Sequence, residues 1–122
     1  MKHEELTKKI IGCAYAVFNA MGGGYLESVY EKCLMIELEK HGLSAIEQSP
    51  IKVFYEGKNV GDFIADIIVE DKVILELKSV RKIAIIHEVQ LVNYLTATGK
   101  EIGLVINFGP QNVDVKRKTR TL

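Results

Sequence analysis

The stretch Gly61–Val80, GDFIADIIVEDKVILELKSV, limits what this chain can fold into more than any other. It reads as two apolar strands separated by the polar break Glu70-Asp71-Lys72. Inside strands that otherwise look buried stand three ionisable residues, Asp66, Glu76 and Lys78. Unpaired charge in apolar surroundings is costly enough that such residues normally have partners or a cation. Parity turns this into a geometric expectation, because residues directly opposite each other across an antiparallel pair point to the same face. With a loop at Glu70–Lys72, Val69 faces Val73, Asp66 faces Glu76 and Ile64 faces Lys78. A two-residue loop would instead put Asp66 opposite Leu75 and send the carboxylates to opposite faces. The odd-length loop is the expectation here, although it offers no glycine for the left-handed position such loops often use. Two carboxylates about 4 Å apart repel by about 4 kcal/mol at an effective dielectric near 20. A divalent cation reverses that sign, and Lys78, on the face of Glu76, could address an anion beside it.

Composition sets the outer limits. A chain of 122 residues is expected to form a single domain, residues 1–122, with a core of ordinary size. Sixteen basic residues balance sixteen acidic ones, so any attraction to nucleic acid or membrane must be local rather than global. The polar start MKHEELTKK has no signal-peptide character, and no apolar run approaches the ~20 residues that span a bilayer. Cys13 and Cys33 fall within helical apolar patterns and read as reduced core residues of a cytoplasmic protein.

Apolar positions Leu6, Ile10, Cys13, Ala14, Val17 and Met21 recur at helical spacing over Glu4–Met21, and Gly22-Gly23-Gly24 stops that helix. A second helix is expected from about Tyr25 to His41, capped by Gly42, with Leu26, Val29, Tyr30, Cys33, Leu34 and Leu38 inward. Two short strands, Leu43–Gln48 and Ile51–Glu56, flank Pro50 near a sheet edge, and Gly57-Lys58-Asn59 turns the chain. After the central hairpin comes a helix from about His87 to Thr98 with Val89, Val92 and Leu95 on one side. The buried strand Gly103–Phe108 follows, then an edge strand around Val113 and Val115 and a basic tail. A strand, a crossover helix and a returning strand place the Leu104 strand parallel to the Glu76 strand. The fold class expected is α/β, a mixed central β-sheet flanked by helices.

Three further groups could carry chemistry. Glu27 lies one turn from Tyr30 and could add a third carboxylate, or could simply favour the helix N-terminus. Gln90 and Tyr94, one helical turn apart with His87 on the same face, could orient water or contact a phosphate, or form a polar helix flank. His87 reads better as an exposed residue of the first turn than as a ligand. Basic residues follow the Glu76 strand (Arg81, Lys82) and crowd the C-terminal end (Lys116, Arg117, Lys118, Arg120), where they could meet a phosphate backbone or merely aid solubility.

Taken in order, GYLESVY, FIADIIVEDKVILELKS, HEVQLVNYL and GLVINFG resemble the GxxExxY protein family of the PD-(D/E)XK nuclease-like superfamily, over nearly the whole chain. The resemblance implies a restriction-endonuclease-like core. It implies that Asp66 and Glu76 are metal ligands, helped by the Leu77 carbonyl, that Lys78 is the catalytic lysine, and that Glu27 is the helix-borne carboxylate. Gln90 and Tyr94 match the Gln-x-x-x-Tyr motif of the superfamily's exonuclease branch. Ala65 replaces the proline of the superfamily's name, and Ile64 stands where similar proteins often carry a basic residue. The function expected is an Mg²⁺- or Mn²⁺-dependent phosphodiesterase acting on nucleic acid, DNA more than RNA, with a homodimer as one possible assembly. The rival is a non-catalytic nucleic-acid-binding or protein-interaction module on the same fold.

Overall fold

A computed structural model describes residues 3–120. The chain runs α1 (Glu4–Met21), α2 (Glu27–Lys40), β1 (Ala45–Tyr55), β2 (Lys58–Val69), β3 (Val73–Lys78), α3 (Ile85–Thr98), β4 (Ile102–Phe108) and β5 (Val113–Thr119). The five strands form one sheet in sequence order. All neighbours pair antiparallel except β3 and β4, which run parallel with Glu76 beside Val105. This is the mixed α/β sheet of the restriction-endonuclease-like fold, with the crossover through α3 where the strand–helix–strand order put it.

Both faces of the sheet are covered. On one, Ile10, Cys13 and Val17 of α1 and Tyr30, Leu34 and Leu38 of α2 pack on Ile67, Leu75, Leu104 and Phe108. On the other, Leu91, Tyr94 and Leu95 of α3 pack on Ile51, Ile68, Ile74 and Val105. Strand β4 lies between the two layers and is buried along its whole length. That is why GLVINF reads as an unbroken apolar run rather than an alternating one. Cys13 and Cys33 are both free thiols. Among the described residues no helix is long and apolar enough to cross a membrane.

Several elements differ from the sequence expectation. The two short strands around Pro50 are one eleven-residue strand, β1. Proline is tolerated there because β1 is the edge of the sheet and can leave one side unpaired, while Pro50 pairs with Ile64 on the other. The turn after β1 is Glu56-Gly57, both at positive φ, joining Tyr55 directly to its partner Lys58. Helix α2 begins at Glu27 rather than Tyr25, leaving Leu26 exposed. Gly42, at φ 74°, ends it, with its N–H on the Glu39 carbonyl. Helix α3 begins two residues early, and its buried side is Leu91, Tyr94 and Leu95, with Val89 exposed. The C-terminal basic residues are mostly not a tail: Lys116, Arg117 and Lys118 lie within β5.

Candidate active site

The hairpin parity holds at the turn. Val69 pairs with Val73, Ile68 with Ile74 and Ile67 with Leu75, so Asp66 and Glu76 are the next residues out on each strand. Glu70 and Asp71 both adopt left-handed φ of 54° without a glycine. The turn is held by Lys72 N–H on the Val69 carbonyl, by Glu70 bonded to the Ser44 backbone, and by Lys100 Nζ on Asp71. Beyond Ile67 and Leu75, however, the β2–β3 backbone ladder stops, so the expected pairing of Ile64 with Lys78 does not form.

The two carboxylates bridge the strands at this point. Asp66 N–H donates to Glu76 Oε2 at 3.0 Å, and Leu77 N–H donates to Asp66 Oδ2 at 2.7 Å. Leu77 thus enters the site through its amide. A change of face in β2 sets up the exchange. Ala65 belongs to the core under α3, with the Phe63 ring 5.7 Å from that of Tyr94, whereas Ile67 and Val69 belong to the core under α1 and α2. Residues two apart in a regular strand share a face. The strand therefore crosses over at Asp66, which turns into the fork between β2 and β3.

Strand β1 is irregular at the same level. Glu47 pairs with Ile67 and Ser49 with Ala65, which leaves Gln48 opposite Asp66. Gln48 sits at φ 54° and sends its Nε2 to both oxygens of Glu31 on α2, each at 3.0 Å. Glu31, only 9% exposed, was not singled out from the sequence. Its signal was its place four residues after Glu27, on the same face of the same helix.

Electrostatics binds these groups into one cluster. Burial, and next the neighbouring Asp66, push the Glu76 carboxyl up to about 8, against the pull of the Asp66 amide and of Lys78. Burial also raises Asp66, opposed by the Leu77 amide and Lys78 and reinforced by Glu27. The Tyr94 phenol is raised by burial and then by Glu76, while Gln90 Nε2 donates to its oxygen at 2.7 Å. Glu31 is lifted to about 7, chiefly by burial and by its contact with Glu47, with Asp66 adding to the rise. Glu27, Asp66, Glu76, Lys78, Gln90 and Tyr94 are thus brought into one neighbourhood between α2 and α3. His87 is not part of it: its Nδ1 accepts Ala84 N–H and caps α3.

The basic residues do not form one surface. Arg81 and Lys82 are exposed just past β3, and Lys116 is exposed on β5. Arg117 is half-buried and donates to Thr7 Oγ1 of α1 at 2.7 Å, while Lys118 pairs with Glu88 of α3 at 3.1 Å. Alternation along β5 sends Arg117 to the face opposite Lys116.

The donor set suits a hard divalent cation. The two bonds just described leave Asp66 Oδ1 and Glu76 Oε1 uncommitted, and among the described residues neither carboxylate is ion-paired to Lys or Arg. No group of three or more His, Cys, Asp or Glu side chains among the described residues is arranged to hold a metal, so Glu27 does not complete a three-carboxylate set. Magnesium commonly takes one or two carboxylates and fills its other positions with water and phosphate oxygen.

A five-stranded mixed sheet with acidic groups and a lysine at the fork of its central hairpin defines a restriction-endonuclease-like protein. The chain belongs to the PD-(D/E)XK nuclease superfamily, whose profile it matches over residues 4–118. Among solved structures it is similar to one described as the crystal structure of SSO0001, at 21% identity and a TM-score of 0.61. The alignment covers 99% of this chain and 61% of that longer one, so the likeness speaks for the fold. No curated protein matches the chain.

Proposed function

We propose that this protein is an Mg²⁺- or Mn²⁺-dependent phosphodiesterase acting on nucleic acid, DNA in preference to RNA. The observation that carries the reading is the pair of raised carboxylates, half-buried Asp66 and buried Glu76, sharing one fork beside Lys78, with neither carboxylate in a salt bridge among the described residues. Asp66 and Glu76 would hold the cation, and Glu27, whose charge bears on both, would extend its shell through water. A dication there supplies charge neutralisation at the phosphate and activation of water.

The chain's own residues do the rest. Lys78 stabilises negative charge gathering on the phosphate, an electrostatic role in a preorganised site. Tyr94, its phenol oxygen occupied by the Gln90 amide, stays neutral and orients substrate as a hydrogen-bond donor. Arg81, Lys82 and Lys116 meet the flanking backbone, whereas Arg117 contributes through its hold on Thr7.

The test is a cleavage assay on a DNA oligonucleotide with Mn²⁺ or Mg²⁺. Glu76→Ala and Lys78→Ala should each abolish metal-dependent cleavage while leaving the circular dichroism of the fold unchanged. Cleavage that survives either substitution removes this mechanism. Failure of the wild-type chain to bind Mn²⁺ at all would favour the non-catalytic binding module instead.

A further inference from the structure

A cleft of about 580 Å³ opens beside Glu27, walled by Tyr25, Leu26, Ser28, Ser79, Arg81 and Pro110. Its lining takes in Glu27 and begins one residue past Lys78, so it adjoins the fork. Its volume falls in the range of sites that enclose small ligands.

The Tyr25 wall is built rather than loose. Tyr30 Oη donates to the Gly22 carbonyl at 2.6 Å and accepts Tyr25 N–H at 3.2 Å, while Ser79 Oγ donates to the Tyr25 carbonyl at 2.7 Å. The Tyr25 ring stands edge-on to Tyr30 at 6.0 Å, and Tyr30 stacks flat on Phe108 at 4.4 Å. An aromatic ring that is 45% exposed is thus anchored by a buried pair. Pro110 is pressed against the same loop: a Cβ on Gly23 would lie 2.6 Å from its carbonyl oxygen. Arg81 and Ser28 add a cation and a hydroxyl to the lining that holds Tyr25 and Pro110.

We propose that this cleft receives one nucleotide of an unpaired nucleic-acid strand, with its base against Tyr25 and Pro110 and its phosphate on Arg81. A base can lie on a protein ring only once it has left a duplex stack, and such stacking tolerates any base. The assignment deepens the phosphodiesterase reading and rests on it for the direction in which the strand runs.

The chain contains no tryptophan, so Tyr25→Trp installs a lone indole in the wall. Titration in EDTA with a six-nucleotide single strand, and with the duplex of the same sequence, separates binding from cleavage. Quenching of the indole by the single strand, with weaker binding of the duplex, is the expected result. Arg81→Ala should weaken binding at least five-fold and lower the slope of log affinity against log salt by about 0.7, the loss of one phosphate contact on a single strand. Tyr25→Ala should weaken binding with that slope unchanged, and Tyr25→Phe should restore it. The proposal is overturned if indole emission does not move across the titration, if Arg81→Ala leaves affinity and slope as they were, or if the duplex binds more tightly. Quenching without metal-dependent cleavage would sink the phosphodiesterase reading and leave the cleft standing. Cleavage with an unresponsive indole would do the reverse.

Discussion

Replacing Glu76 by glutamine turns the buried electrostatics of the fork into a measurable slope. Without metal, the folded chain holds this carboxyl at about 8, against 4.5 for an ordinary glutamate. Between those values the native state keeps a proton that the unfolded chain has released, so stability falls as pH rises. The descent is about 1.4 kcal/mol per pH unit, or about 5 kcal/mol across the interval. Below the lower value and above the upper one this group adds no slope. A domain of this size has about 5–15 kcal/mol in all, so a descent of that order is a large fraction of it.

Glutamine has the shape of the protonated acid, and its carbonyl can still accept the Asp66 amide that Glu76 Oε2 now accepts at 3.0 Å. Glu76→Gln should therefore match the wild type near pH 4 and exceed it by several kcal/mol at pH 8. Urea denaturation in EDTA, in half-unit steps from pH 4 to 9, measures the gap. Asp66 and Glu31 are also raised, so part of the descent persists in the variant and the difference between the two curves isolates Glu76. Mn²⁺ must displace the same proton, so its apparent affinity for the wild type should be about 100-fold weaker at pH 6 than above pH 8. Parallel stability curves at every pH, or a wild-type curve that climbs between pH 5 and 8, would refute the reasoning.

Two further substitutions probe what holds the site in place. Gln48→Gly relieves about 1 kcal/mol of left-handed strain but strips Glu31 of its amide partner, at about 2 kcal/mol for a bond to a charged group. The expected outcome, by denaturant titration above pH 7, is a net loss of stability together with weaker Mn²⁺ binding, and a more stable variant with unaltered Mn²⁺ affinity would exclude a positioning role for this contact. Tyr30→Phe keeps the stacked ring yet loses the bonds to Gly22 and Tyr25, so stability should fall by about 2 kcal/mol in the same assay. Since Tyr30 is fully buried, cleavage at saturating oligonucleotide should stay near the wild-type rate, and a collapse of that rate with stability intact would make Tyr30 a catalytic group.

What could be read in advance follows from how local each determinant is. The pairing of Val69 with Val73 depended only on strand parity and a short loop, and it held although Glu70 and Asp71, not glycine, take the left-handed positions. The inner side of α3 was misread because Ile85, Ile86 and Val89 are apolar but exposed, so apolar residues ring the helix start and periodicity cannot choose a face. Pro50 suggested a break, yet the edge position it implied is what lets one strand run through it, with the missing N–H on the unpaired side. The Gln48–Glu31 contact was the least legible. It joins residues 17 positions apart and holds Gln48 opposite Asp66, where β2 changes faces. That crossover explains why acidic groups can stand inside an apolar hairpin. A regular strand would have pressed Asp66 into one of the two cores; the irregular one turns it into the fork, where each carboxylate takes an amide of the opposite strand and keeps an oxygen for something else.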